Sequence, residues 1–125
     1  MGNGSREELA KRTTRFAVAI TRFYVSLPHS EVFRVLGRQL LKSGTSVGAH
    51  YREAYRAKSN ADFISKIEGA LQELDETDYW LDVLHEAGLV DGPMLTKLKT
   101  EANELISILV SIVRRVKSAS RDAAA

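Results

Sequence analysis

Apolar residues recur along this chain at spacings of three and four, and no stretch alternates with period two for long. That is the signature of amphipathic helix rather than strand. Leu9, Thr13, Phe16, Ile20, Phe23 and Leu27 form one such row, which predicts a helix over about 7–27. Ser5 and Glu8 make a capping-box pattern at its start, and Pro28 ends it. Phe33, Leu40, Val47 and Ala54 repeat every seven residues with Leu36 beside them, predicting a second helix over about 30–57. Phe63, Ile67, Ala70, Leu74, Thr77, Leu81 and Leu84 predict a third over about 60–87, with Ser59 or Asn60 as its N-cap and Gly88 as its stop. Leu95, Leu98, Ala102, Leu105, Leu109, Ile112 and Val116 predict a fourth over about 92–117, opening at Asp91-Gly-Pro93, with a frayed tail after Lys117. Both prolines of the chain, Pro28 and Pro93, fall at breaks. Short connections between long helices imply an antiparallel, up-down-up-down, all-α four-helix bundle, read as a single domain over 1–125.

The helical faces carry more than a core. On the second segment Arg34, Arg38, Lys42, Arg52 and Arg56 fall within an arc of about 80° at 100° per residue. Such a row is either a solvated face or a set of cations for phosphates; nothing in it suggests reading of base identity. On the third segment Glu68, Asp75, Asp82 and Glu86 share a face with Gln72 and Tyr79, and Asp78 sits on the shoulder of the seam. The acidic row can pair with basic rows within the chain or across subunits. Charge follows the same division. Residues 1–28, 29–59 and 91–125 carry +3, +4 and +2, whereas 60–90 carry −7, although the whole chain is only +2.

Ser43-Gly-Thr-Ser-Val-Gly-Ala49 is a window of small residues inside a helical pattern. Glycine costs about 1 kcal/mol relative to alanine in a helix. Gly44 and Gly48 therefore imply close approach of another helix or subunit; a phosphate-cradling loop is the alternative, but the Gly-Lys-Ser/Thr ending and a preceding strand are missing. Ile106, Ile108, Val110 and Val113 lie outside the fourth seam and predict apolar surface for self-association, with Trp80 as an anchor. The candidate interface residues are thus Gly44, Gly48, Asp75, Asp78, Trp80, Asp82, Ile106, Val110 and Val113.

Little points to catalysis. There is no cysteine, which excludes disulfides, zinc–thiolate sites and thiol chemistry. Asp82-x-x-His85 is half of a di-iron bundle motif, but His50-x-x-Glu53 has the reverse order and His29 falls at a turn. No metal, cofactor, catalytic residue or small-molecule substrate is expected. The polar start Met1–Ser5 reads as neither signal peptide nor anchor, and the longest apolar run, Leu105–Val113, is broken by Ser107 and Ser111. No membrane partner is expected, and a bacterial cytoplasm is the expected location.

Three segments together carry a family resemblance. They are Arg38-Gln-Leu-Leu-Lys-Ser-Gly-Thr-Ser-Val-Gly-Ala-His-Tyr-Arg-Glu-Ala54, Ser59-Asn-Ala-Asp-Phe-Ile-Ser-Lys-Ile-Glu68 and Ala70-Leu-Gln-Glu-Leu-Asp-Glu-Thr-Asp-Tyr-Trp-Leu81. The chain resembles, over about 7–117, the four-helix 23S rRNA intervening-sequence proteins, to which accessory variability proteins of diversity-generating retroelements are related. The resemblance implies a bacterial bundle that assembles into a ring, typically a homopentamer, with no known enzymatic activity. For the retroelement relatives it implies binding to nucleic acid and to a reverse transcriptase. The expected partners are accordingly further copies of the chain and RNA or DNA through the basic face. The alternative is a protein-interaction scaffold whose basic and acidic stripes pair between subunits or with a protein partner.

Overall fold

The computed structural model describes residues 3–124. Four helices follow one another, α1 (Asn3–Ser26), α2 (Glu31–Ala54), α3 (Asn60–Glu86) and α4 (Pro93–Ala124). Each packs on the next, and α4 returns to α1 through the loosest of the four contacts. The helices are antiparallel: the start of α1 meets the end of α2 where Tyr51 Oη donates to the Arg6 carbonyl (3.1 Å), and the start of α3 meets the end of α4 where Asn60 donates to Ser120 (2.9 Å).

Local chemistry explains most boundaries. Ser30 and Ser59 take extended N-cap conformations and accept from the amides of Phe33 and Asp62, three residues on. At the end of α3, Gly88 adopts φ +71°; its amide donates to the His85 carbonyl and that of Leu89 to Leu84 (2.9 and 3.0 Å), a Schellman closure. Pro93 opens α4, where its missing N–H has no helical partner to lose.

Three ends differ from the periodicity. The first helix starts at Asn3, so Ser5 lies inside it and does not cap; Glu8 instead pairs with Arg15 (3.2 Å). The second closes at Ala54 in a tightened turn, with Arg56 and Ala57 amides donating to the carbonyls of Glu53 and Ala54, three residues back. The fourth stays helical to Ala124 rather than fraying after Lys117.

Every residue of the four apolar rows except Phe33, Leu36, Phe63 and Val116 is buried, including the hydroxyl-bearing Thr13 and Thr77. Thr77 meets Ser43 of α2 at 2.9 Å, and Ser43 donates to the Leu40 carbonyl, so the buried hydroxyls are satisfied. The small-residue window lies in mid-helix against α1, not in a loop. A Cβ on Gly44 would stand 2.8 Å from two carbons of the fully buried Ile20, and one on Gly48 would stand 3.0 Å from Thr13 Oγ1. Gly37 extends the seam, with a Cβ position 2.9 Å from the Tyr24 ring. The helix that approaches closely therefore belongs to the same chain.

Candidate nucleic-acid interface

The α1 and α3 contacts leave α2 one outward face, and the basic row occupies it. Arg34, Arg38, Lys42, Arg52 and Arg56 are all exposed. Arg34, Arg38 and Lys42 lie on the helix at successive turns, about 6 Å apart along the axis, and Arg52 follows about 15 Å beyond Lys42. Arg56 lies one turn further, in the closing turn beyond Ala54. Arg34 pairs with Glu31 in the first turn, and Arg52 donates to the Thr14 hydroxyl of α1 (2.9 Å). Arg38, Lys42 and Arg56 form no salt bridge among the described residues, although Lys42 lies within electrostatic reach of Glu76 of α3.

Some cations of the other helices are engaged in ion pairs, whereas Lys11, Arg22, Lys97, Arg114 and Arg115 have none among the described residues. Arg12 of α1 donates through Nε and Nη2 to both oxygens of Glu101 on α4 (2.7 Å each) and reaches Glu104 (2.7 Å). Its hydrogen bonds hold the Glu101 carboxyl below its ordinary range against the opposing effect of burial. Lys99 of α4 binds Asp78 (2.7 Å) and Asp82 of α3. Burial acts to lower the Lys99 ammonium pKa, but the two carboxylates outweigh it and raise it. Lys117 approaches Glu68 (3.7 Å), and Lys66 approaches Glu53 (3.9 Å).

This arrangement divides the sequence-derived interface residues. Asp78 and Asp82 are tied to Lys99 of their own chain, and Gly44 is buried against Ile20. Gly48 likewise faces Thr13. Val113 is 7% exposed and belongs to the core, while Ile106 and Val110 are half-buried because α4 fits its wide apolar stripe between α1 and α3. Trp80 is half-buried with its ring edge-on to Tyr79 (centroids 5.0 Å apart). Asp75 remains exposed. The bare apolar surface lies instead on the α1–α2 hairpin, at Val18, Val25, Val32 and Val35, of which Val25 is 71% exposed. Val18 and Val25 stand seven apart and Val32 and Val35 three apart, a helical spacing that lay off the core rows.

The periodicity also passed over a basic aromatic cleft at the open end of α1 and α2. Arg6, Glu7, Tyr51, Arg52, Tyr55 and Arg56 line it, around a volume of about 310 Å³. The Arg6 guanidinium lies 4.6 Å from the Tyr55 ring centroid. Tyr55 meets Tyr51 and Phe63 edge-on, at 5.1 and 5.2 Å. Burial pushes the Tyr51 hydroxyl to a raised pKa. The i, i+4 pair Tyr51/Tyr55 beside Arg52/Arg56 was the available sequence signal.

No metal-binding group of three His, Asp or Glu side chains gathers among the described residues, and Asp82 of the Asp82/His85 pair is engaged by Lys99. His50 faces Gly69 of α3, where a Cβ would stand 3.1 Å from its buried Nδ1. No helix among the described residues is long and apolar enough to cross a membrane.

Fold and surface together define an all-α bundle with charges segregated by helix. Residues 6–111 match the family described as 23S rRNA-intervening sequence protein, and the chain belongs to that family. It is also similar to the crystal structure of a protein of unknown function from the S23 ribosomal protein family of Bacteroides thetaiotaomicron. The two are 36% identical with a TM-score of 0.78, over 83% of this chain and 96% of that one. No curated protein matches the chain.

Proposed function

We propose that this protein is a non-enzymatic nucleic-acid-binding accessory protein that holds phosphates along the outer face of α2. The observation that carries this reading is the exposed row of Arg38, Lys42 and Arg56, outside any salt bridge among the described residues and on one helix face with Arg34 and Arg52. Cations on one rigid helix bind a polyphosphate backbone by releasing its condensed counterions, without reading bases. Self-association, for which the bare valines of the α1–α2 hairpin offer apolar surface, would multiply the row.

The test is binding to an RNA hairpin and a DNA duplex across a salt series. Five phosphate contacts give a log–log salt slope of about −4.5 on duplex DNA. Arg38→Glu with Arg52→Glu abolishes binding at physiological salt and leaves the mass by light scattering unchanged. Full retention of binding by that double variant refutes the reading.

The scaffold reading has its own observation. Tyr79 is 59% exposed on the outer face of α3 beside Asp75 and Glu86, neither of which has a Lys or Arg partner among the described residues. A basic surface of a second subunit or of another protein fits that face. In that case the same double variant lowers the mass or loses a protein partner, with no nucleic acid bound by either form.

A further inference from the structure

Phosphate contacts on α2 say nothing about strandedness, but the cleft at its end does. Base–aromatic stacking needs a ring within reach of phosphate-binding cations that outnumber the carboxylates beside it. Among the described tyrosines, Tyr79 is well exposed but stands with Asp75, Asp82 and Glu86, which repel phosphates. Tyr24 is packed against Gly37, and Tyr51 is 1% exposed. Tyr55 is half-buried and lines a cleft where three cations, Arg6, Arg52 and Arg56, stand against one carboxylate, Glu7. A planar cation already occupies the stacking position, since Arg6 lies over the ring. Guanidinium and nucleobase compete for the same π-face, and either can also stack on the other.

We propose that this cleft takes an unpaired nucleobase, which stacks on Tyr55 in place of Arg6, while Arg6, Arg52 and Arg56 hold the flanking phosphates. The protein therefore prefers single-stranded nucleic acid to duplex. The proposal rests on the nucleic-acid reading of α2 and adds the strand state of the ligand. A duplex cannot satisfy the cleft without unstacking a base, whereas a single strand offers bases already free. Stacking accepts every base, so the site carries little sequence preference.

The test measures anisotropy of labelled oligothymidylate, oligouridylate, an abasic oligomer of the same length and a duplex, each with the full chain. Wild type binds the two base-bearing strands on the order of tenfold or more tighter than the abasic one, the range for one stacked base. Tyr55→Leu brings both down to the abasic level and leaves abasic and duplex binding unchanged, which also shows that the variant is folded. Tyr55→Phe keeps the wild-type ratio. Equal wild-type affinity for base-bearing and abasic strands overturns the base site alone, and that comparison needs no variant. Binding to none of the four at low salt overturns the nucleic-acid reading and the base site with it.

Discussion

Gly44→Ala tests whether α1 and α2 meet as closely as the structure has them. In an exposed helix this change stabilises by about 1 kcal/mol, because alanine is the better helix former. Here the new Cβ would lie 2.8 Å from Ile20 Cγ1 and Cγ2 and 3.1 Å from its Cβ. Ile20 is fully buried and β-branched, so it has no flexible far end to withdraw and few rotamers to choose from. Relief requires α1 to move away, which loosens the contacts of Phe16 and Phe23 as well. Overpacking of this kind costs about 1–3 kcal/mol, more when backbone must shift. The close double contact puts this site at the upper end, so the net change is destabilising by about 1–2 kcal/mol. Urea denaturation followed by far-UV circular dichroism, at fixed protein concentration, reads it as a lowered midpoint at unchanged slope. Gly4→Ala is the control, because nothing lies within 4 Å of a Cβ there, and it is neutral or mildly stabilising. A Gly44→Ala protein as stable as wild type would refute the close approach. Ile20→Ala with Gly44→Ala should then be less destabilised than the sum of the two single changes, since the truncated side chain leaves room for the new methyl.

Thr77→Val removes a hydroxyl that contacts Ser43 inside the core and should cost about 1 kcal/mol; Ser43→Ala with Thr77→Val should recover part of it, because neither hydroxyl is then left buried alone. Chemical denaturation of the two singles and the double decides this, and strict additivity would count against a direct contact. The Glu101 carboxyl is held by Arg12 below its ordinary value of 4.5. A depressed folded-state pKa stabilises above the unfolded value and is lost as pH falls through the folded one, so stability should decline as pH drops below about 4.5. Arg12→Met should flatten that acid limb, measured by thermal melts from neutral pH downward, and an unchanged pH profile would contradict the pairing.

The fold was legible in the sequence because burial on a helix must recur at three and four residues, and the four rows did so without interruption by proline. What periodicity cannot carry is the identity of the facing helix. Gly44 and Gly48 announced a close approach, but whether α1 or a second subunit made it depended on tertiary packing. The apolar residues outside the α4 seam read as bare surface for the same reason. A stripe that is too wide for one neighbour is covered when two helices flank it, as Val113 is. The basic row was readable residue by residue; which of its members lacked a carboxylate was not, since the competing carboxylates come from other helices. The Tyr55 cleft brings Arg6 to residues nearly 50 positions away, beyond any local pattern.

How α1 meets α2 bears on why the cations of α2 remain available. Both segments are net basic, with two carboxylates each, so few ion pairs could join them. Among the described residues no salt bridge links α1 to α2, and the hydrogen bond of Arg52 to Thr14 and that of Tyr51 to the Arg6 carbonyl are their polar side-chain links. The join is made by glycine, which lets two like-charged helices gain dispersion contacts at short range where side-chain charges gain nothing. The other joins use charge: Arg12 binds α4 to α1, Lys99 and Lys117 bind α4 to the acidic α3, and Lys66 reaches from α3 to Glu53. Helix α4 thus supplies cations to α3 and carboxylates to α1, offsetting part of the charge on each. Only Glu53 of α2 enters these interhelical pairs, as an acceptor, and none of the α2 cations does. A glycine seam in place of a charged one therefore leaves the cations of α2 out of the interhelical ion pairs, and the packing of the small-residue window and the chemistry of the basic face are two consequences of the same local sequence.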